Sequence, residues 1–490
     1  MGKVTIDGVE VEVQDGINVI EAAKLADVHV PHFCYHPSLT VVGQCRMCLV
    51  EVEGIPKLQA GCATPVKDGM KIHVWNDKVE KARRGQMEFL LINHPLDCPI
   101  CDKAGECPLQ DYSFNYGSVV SRYGEFKRTY PGMDRTAIGP HVVQNMNRCI
   151  HCTRCIRFCD EITGTSELAF FKRGASTEVG VFPGTPIDNW MSACVTDLCP
   201  TGALTPREFR FESRVWNLDS TDSVCNGCDV GCNIFIGHRN GQVFRYRPRV
   251  NPDVNDHWLC DYGRFSYERY ETDRVVVPKV RTDEYLGITT WNEALDAIAS
   301  AINAGGNLPA IASANMTNEE AAAAKALFDQ LGAQAGVMVD PIGPIKMKSR
   351  TEWLLGTQAA PNYRGVSKVF GESDAVEQLM TNGADGVDVL YICDAEFSER
   401  AKDPAVIANL RKAKFLIVHS WDATHPLNEV ADVLLPSTIH AEKEGTFVNL
   451  QGREQQIHQC YAPKGQTVPD LEVFRRVSAR LSEPAMALAT

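Results

Sequence analysis

NRCIHCTRCIRFCD, residues 147–160, sets cysteines at positions 149, 152, 155 and 159. Thiolates at this spacing can reach one small centre from a single tight loop, and C-x2-C-x2-C-x3-C is the ligand run of bacterial ferredoxin clusters. In that run a Pro follows the fourth cysteine, which serves a second cluster. Here Asp160 follows Cys159, and the chain holds one such triplet. A single cubane is therefore expected to take Cys149, Cys152, Cys155 and the remote Cys199, which Pro200 follows, leaving Cys159 and Cys194 over. Three cysteines within seven residues favour a compact cluster over zinc, which takes separated pairs.

Upstream, NHPLDCPICDKAGECPLQD (93–111) offers His94, Cys98, Cys101 and Cys107, with Pro95, Pro99, Gly105 and Pro108 turning the backbone around a centre. Four ligands so close suit an iron cluster, although a zinc site of three cysteines and one histidine uses the same donors. Nearer the N-terminus, Cys34, Cys45, Cys48 and Cys62 keep the close pair and distant partner of the plant-type two-iron pattern, with a longer first gap. Cys34-Tyr35-His36 looks like half of a Rieske motif, but Leu49 follows Cys48 where the second half needs histidine, so His36 is read as a surface or supporting residue. Downstream, Cys225, Cys228, Cys232 and Cys260 make a fourth set of four thiolates. Four sites take fifteen of the nineteen cysteines together with His94, leaving Cys159, Cys194, Cys393 and Cys460. Four tetradentate sets in order make structural zinc a poor explanation, and no catalytic side chain is implied.

Bulk composition fits this reading. A chain of 490 residues exceeds one core, so several domains are expected. A net charge of −13 argues against general nucleic-acid binding. No apolar run approaches the ~20 residues of a membrane span. The Met-Gly-Lys-Val-Thr-Ile start shows no signal-peptide pattern, and Ile6 stands where a myristoylation motif needs Ser or Thr. A disulfide framework suits short secreted chains, not this one.

Local patterns place the elements. Val4 and Ile6 alternate, Asp7-Gly8 turns, and Val9, Val11 and Val13 alternate back as a hairpin. Asn18 with Glu21 predicts a helix start, and Asn240-Gly241 a turn between two strands. Beyond about residue 273 the pattern becomes α/β. Thr290 with Glu293 and Thr317 with Glu320 read as capping boxes, and Gly332 as a helix stop. Ile311-Ala312, Val387–Ile392 and Phe415–Val418 read as strands, with Cys393 a core residue. No G-x-G-x-x-G follows a strand and no P-loop is present.

Taken in order, the four ligand patterns resemble those of the G-subunit family of bacterial NADH-quinone oxidoreductase, the iron–sulfur subunits of respiratory complex I, over essentially the whole chain. Cys199-Pro-Thr-Gly-Ala and HAEKEGTFVNLQGREQ (440–455) add to the likeness. The resemblance implies a multidomain α+β and α/β chain. A two-iron, β-grasp-like ferredoxin domain is expected over 1–77, and a four-iron module with one histidine and three cysteine ligands over 78–117. A ferredoxin-type four-iron module would occupy 138–216 and a four-iron domain of molybdopterin-oxidoreductase type 217–272. A truncated molybdopterin-oxidoreductase-like α/β domain would fill 273–490. It implies one [2Fe-2S] and three [4Fe-4S] clusters, no molybdopterin, and single electrons passed from a flavin/NADH-binding subunit toward quinone through a further four-iron subunit. The fourth cluster is regarded in the family as off the main route. The place implied is the peripheral arm on the cytoplasmic side of the inner membrane, touching membrane only through the complex. The competing reading is an iron–sulfur/molybdopterin subunit of an NAD-linked formate dehydrogenase or hydrogenase. Such dehydrogenases generally carry two ferredoxin-type cubanes where this chain has one.

Overall fold

The computed structural model describes residues 2–270, 273–282, 285–342, 356–371 and 374–482. These fall into two compact units, 2–217 and 218–482.

In the first unit, the hairpin Gly2–Ile6 and Val9–Val13 joins a five-stranded sheet with Lys71–His73, Leu49–Val52 and Gln59–Ala60. Its alternating valines and isoleucines leave one face apolar, and the helix Val19–Leu25 covers it. That helix starts where the sequence predicts, the Asn18 side chain accepting from the Glu21 N–H. The helix Asp77–Leu91, capped by Asn76, leads to a short turn at Cys98–Ile100 and the helix Pro108–Tyr116. The rest of the unit is a three-stranded sheet and the hairpin Leu168–Phe171 with Glu178–Val181. Two short helices, Arg154–Phe158 and Cys194–Leu198, complete it.

The second unit begins with three antiparallel strands, Asp219–Val224, Asn233–Arg239 and Gln242–Pro248, the last two turning at Asn240-Gly241 as expected. These strands belong to the same compact unit as the α/β region after 273. The α/β region holds a seven-stranded sheet. Its spatial order is Tyr285–Ile288, Lys279–Thr282, Val433–Pro436, Phe415–Ser420, Val389–Ile392, Pro309–Ser313 and Gln334–Met338. The last five are parallel, and Lys279–Thr282 adds antiparallel to them. Helices Trp291–Asn303 and Asn318–Leu331 both start on the two predicted capping boxes, and Gly332 ends the second in the left-handed region at φ +64°. Cys393 is buried in the core cluster on one face of the sheet. Among the described residues no helix is long and apolar enough to cross a membrane.

A buried charge cluster ties this core together. Lys443 Nζ lies 3.0 Å from Glu320 and 3.2 Å from Asp470. Burial works against its charge, but the two carboxylates prevail and hold Lys443 well above its usual range. Asp470 also accepts from Ser437. Removing one member of such a set leaves the others buried without its counter-charge. Lys443→Ala is therefore expected to destabilise the second unit by about 3–5 kcal/mol, read from denaturant unfolding followed by circular dichroism.

Candidate iron–sulfur centres

Site 1 is built by the loop that carries Cys34, Cys45 and Cys48 together with the turn Gly61–Ala63, which carries Cys62. All four cysteines are buried and in mutual reach. Cys34 is hydrogen-bonded to Cys45 and Cys62, and Cys48 to Cys62; these bonds hold the Cys34 and Cys48 thiols low and push those of Cys45 and Cys62 up. The N–H groups of Phe33 and Cys34 point at Cys45 Sγ from 3.4 and 3.5 Å. Arg46 takes a left-handed φ of +56°, reversing the loop between ligands. His36 is half-buried, its ring nitrogen accepting from the Ser38 N–H.

Site 3 repeats the device. His151 and Thr153, between the three close cysteines, sit at φ +53° and +63°, and the His151 N–H points at Cys149 Sγ from 3.4 Å. Cys149, Cys152, Cys155 and Cys199 line one void of about 20 Å³. Burial, with the neighbouring thiols adding, pushes Cys152 up to about 11 and Cys149 and Cys155 higher. Neither Cys159 nor Cys194 lines that void. Cys159 is buried in the π turn Cys159–Thr163, its thiol pushed up by burial and then by Glu167. Cys194 is buried at the start of its helix.

At site 2, His94, Cys98 and Cys107 line a cavity of about 820 Å³ with a largely apolar wall. Cys101 is buried and Cys98 exposed. The His94 Nδ1 is buried with no hydrogen-bond partner among the described residues. Burial, then the cations of Arg148 and Lys127, bring the ring down to about 4. It is neutral at physiological pH, with a lone pair to offer. Burial pushes Cys107 up to about 11. Cys101 packs against Gly202 so closely that a Cβ there would stand 2.2 Å from its Sγ.

Site 4 lies in the second unit. A Cβ on Gly263 would meet Cys225 Sγ at 2.7 Å and Cys260 Sγ at 3.4 Å, and one on Gly356 would meet Cys228 Sγ at 2.8 Å. Cys232 accepts the Cys225 N–H on its carbonyl at 2.7 Å. Burial pushes Cys225 and Cys228 up to about 12 and Cys232 higher, and the other thiols add to it. N–H groups of Gly227 and Gly263 point at Cys225 and Cys260 sulfurs from 3.4 and 3.3 Å.

These donor sets fit iron–sulfur clusters chemically. Buried thiols with raised pKa values ionise together only beside a strong positive charge, which a cluster's irons supply. An iron of such a cluster would satisfy the orphaned His94 nitrogen in the same way. Among the described residues no three His, Cys, Asp or Glu side chains are gathered as ligands of a single metal ion. A polynuclear cluster asks instead for one or two donors at each of several irons.

Sequence spacing gave no hint that three of the sites are knitted together. Arg157 Nη2 donates to the carbonyl of Cys34 in site 1 and, at 3.4 Å, to that of Cys152 in site 3. Arg154 donates to the carbonyls of Tyr35 and Leu198, neighbours of Cys34 and Cys199. Site 3 then meets site 2. Cys107 Sγ donates to the Pro200 carbonyl at 3.6 Å, and Arg148, next to Cys149, is bonded twice to Asp97, next to Cys98, at 2.9 and 3.0 Å. These links run in the series 1, 3, 2, and Cys34, Cys45, Cys107 and Cys152 also share one buried cluster.

The second unit also has a crevice at its sheet. The chain leaves Pro309–Ser313 toward one side of the sheet and returns at Val389–Ile392 on the other, the switch point at which open α/β sheets bind ligands. A cavity of about 260 Å³ lies there, lined by Asn315, Asp394, Glu396 and Thr438 among others. Six carboxylates line it: Asp340, Asp394, Glu396, Glu399, Asp422 and Asp470. Of the three Lys and Arg side chains in the wall, Lys443 is paired with Glu320 and Asp470 and Lys402 with Glu399 at 2.8 Å, while Arg269 donates to the Asn226 carbonyl and the Tyr270 hydroxyl.

Comparison with known proteins follows the same divisions. Residues 2–77 match the 2Fe-2S iron-sulfur cluster binding domain, and 83–122 the NADH-ubiquinone oxidoreductase-G iron-sulfur binding region. Residues 139–205 match the ferredoxin-like domain of NADH-quinone oxidoreductase subunit 3. Residues 218–268 match the NADH-ubiquinone oxidoreductase NDSU1/NuoG-like 4Fe-4S domain, and 355–480 match molybdopterin oxidoreductase. The chain is 44% identical over 335 residues to the NADH-quinone oxidoreductase G subunit of Rickettsia felis, covering 68% of this chain and 50% of that one. It is 43% identical over 338 residues to the mitochondrial NADH-ubiquinone oxidoreductase 78 kDa subunit of Candida albicans, covering 68% and 46%. The corresponding figures for the Neurospora crassa 78 kDa subunit are 41% over 386 residues, 78% and 51%. The chain thus spans about half the length of the curated relatives it matches. The acid-lined switch-point crevice offers few cations to a pterin cofactor bearing pyrophosphate, and no step is routed through one.

Two sets of substitutions test the geometry. Gly202→Ala should displace Cys101 and lose the site 2 cluster, leaving the signals of sites 1 and 4. Cys159→Ser should leave all four cluster signals in place, whereas Cys155→Ser should disrupt that of site 3. Electron paramagnetic resonance (EPR) of the reduced protein with iron analysis reads both.

Proposed function

We propose, for a chain that belongs to the G-subunit family of NADH-quinone oxidoreductase, that its work is to relay single electrons between iron–sulfur clusters, from an NADH-oxidising flavin subunit toward quinone. The observation that carries this is the contact series from site 1 through site 3 to site 2, in which ligand loops of successive sites touch. The assignment is one [2Fe-2S] cluster on Cys34, Cys45, Cys48 and Cys62. Three [4Fe-4S] clusters fall on His94 with Cys98, Cys101 and Cys107; on Cys149, Cys152, Cys155 and Cys199; and on Cys225, Cys228, Cys232 and Cys260.

When bound, such clusters supply one-electron carriers whose potentials respond to ligand identity, hydrogen bonds to sulfur and burial. The chain's own residues do the rest. Cysteine loops fix each donor, backbone N–H groups aimed at sulfur favour the more reduced state, and the cores around sites 1, 3 and 4 keep water out. Neutral His94 leaves its site one negative charge short of an all-thiolate set, which eases reduction. No proton-transferring or nucleophilic residue is needed. The partners proposed are the flavin/NADH-binding subunit and a downstream four-iron subunit of the peripheral arm, on the cytoplasmic side of the inner membrane. The acid-lined crevice supports this reading over pterin-dependent formate chemistry.

Anaerobically prepared protein should contain about fourteen irons per chain, counted by elemental analysis. Mainly zinc would overturn the assignment. In redox titration, His94→Cys should lower the midpoint of the site 2 cluster, and His94→Ala should weaken or lose it. An unchanged or higher midpoint in the cysteine variant would remove His94 from its proposed role.

A further inference from the structure

The helix Arg154–Phe158 begins inside the site 3 ligand run, and its two arginines stand one turn apart. Arg157 is 6% exposed. It donates to the carbonyls of Thr40, Cys34 and Cys152 and to the Thr153 hydroxyl. Arg154 donates to the carbonyls of Tyr35 and Leu198, and its Nε is buried without a partner. Their hydrogen bonds go to carbonyl and hydroxyl oxygens, so among the described residues these bonds bring no carboxylate against either guanidinium. Two fixed positive charges thus stand between two sets of buried sulfurs.

We infer that Arg154 and Arg157 form a cationic clasp that sets the reduction potentials of sites 1 and 3 jointly. The inference rests on the reading of both sites as cluster sites. A cluster gains negative charge on reduction, so a nearby cation favours the reduced state, and burial keeps salt from screening it. Because one guanidinium touches the carbonyl of a ligand on each side, both sites feel its loss. The same bonds fix the two ligand loops to one helix, so the charge acts at a constant distance from each. Lysine at 157 keeps the charge but not the fork that spans both carbonyls.

The test uses the full chain with its clusters, titrated electrochemically and followed by EPR. Arg157→Gln should lower the midpoints of the site 1 and site 3 signals in the same direction and leave that of site 4 in place. Arg157→Lys should return both toward wild type. A shift at one site alone, at neither, or as large in the lysine as in the glutamine variant overturns the clasp. Should Arg157→Gln fail to take up iron, Arg157→Lys decides by itself: both midpoints near wild type support the charge, and a fall at either overturns it. Wild-type protein without a site 1 or site 3 signal overturns the reading of the sites and the clasp with it. Signals present but unmoved overturn the clasp alone.

Discussion

Everything in this molecule follows from the difficulty of burying sulfur as an anion. Thiols taken out of water resist ionising, and here the cysteines of four sites lie largely inside the protein, where burial alone pushes most of them upward. The chain answers with backbone N–H groups aimed at sulfur, left-handed residues that turn ligand loops inward, and glycines where a side chain would strike a ligand. Tight cysteine loops are therefore less a motif than a solution to a charge problem, which an iron–sulfur cluster would complete.

The same constraint explains which parts of the site could be read from spacing. Ligands close in sequence share a loop, so Cys149, Cys152 and Cys155 declare themselves, as do Cys225, Cys228 and Cys232. The remote Cys199 was legible through the Pro that follows it, and it lines the same void as Cys149, Cys152 and Cys155. The arginines were not legible. Arg154 and Arg157 matter through carbonyls more than a hundred residues away, and no local pattern encodes a partner that only folding brings near. The spatial series 1, 3, 2 was hidden for the same reason.

Fold followed a similar rule. Capping boxes at Thr290 and Thr317, the stop at Gly332 and the turn at Asn240-Gly241 depend on neighbours within a few residues, and all appear where the sequence puts them. The two strands Lys279–Thr282 and Tyr285–Ile288 carry no strong alternation; the first exists because the edge of the parallel sheet at Val433–Pro436 offers it backbone partners, and the second pairs with the first. The acid-lined switch point likewise depends on strands far apart in the chain.

Gly202 has a consequence for how the protein is made. Site 2 draws its donors from residues 94–107, yet Cys101 packs on Gly202 and Cys107 on the Pro200 carbonyl. A nascent chain that has just exposed His94 and its cysteines cannot close around them until roughly a further hundred residues have left the ribosome, several seconds or more at ordinary synthesis rates. The N-terminal ferredoxin-like fold has its sheet and its four cysteines within the first 73 residues and waits only for the arginines that hold the Cys34 loop from outside. Translation therefore delivers the donor sets in one order and packing completes them in another, and the second module stands open to oxygen and stray metals in the interval.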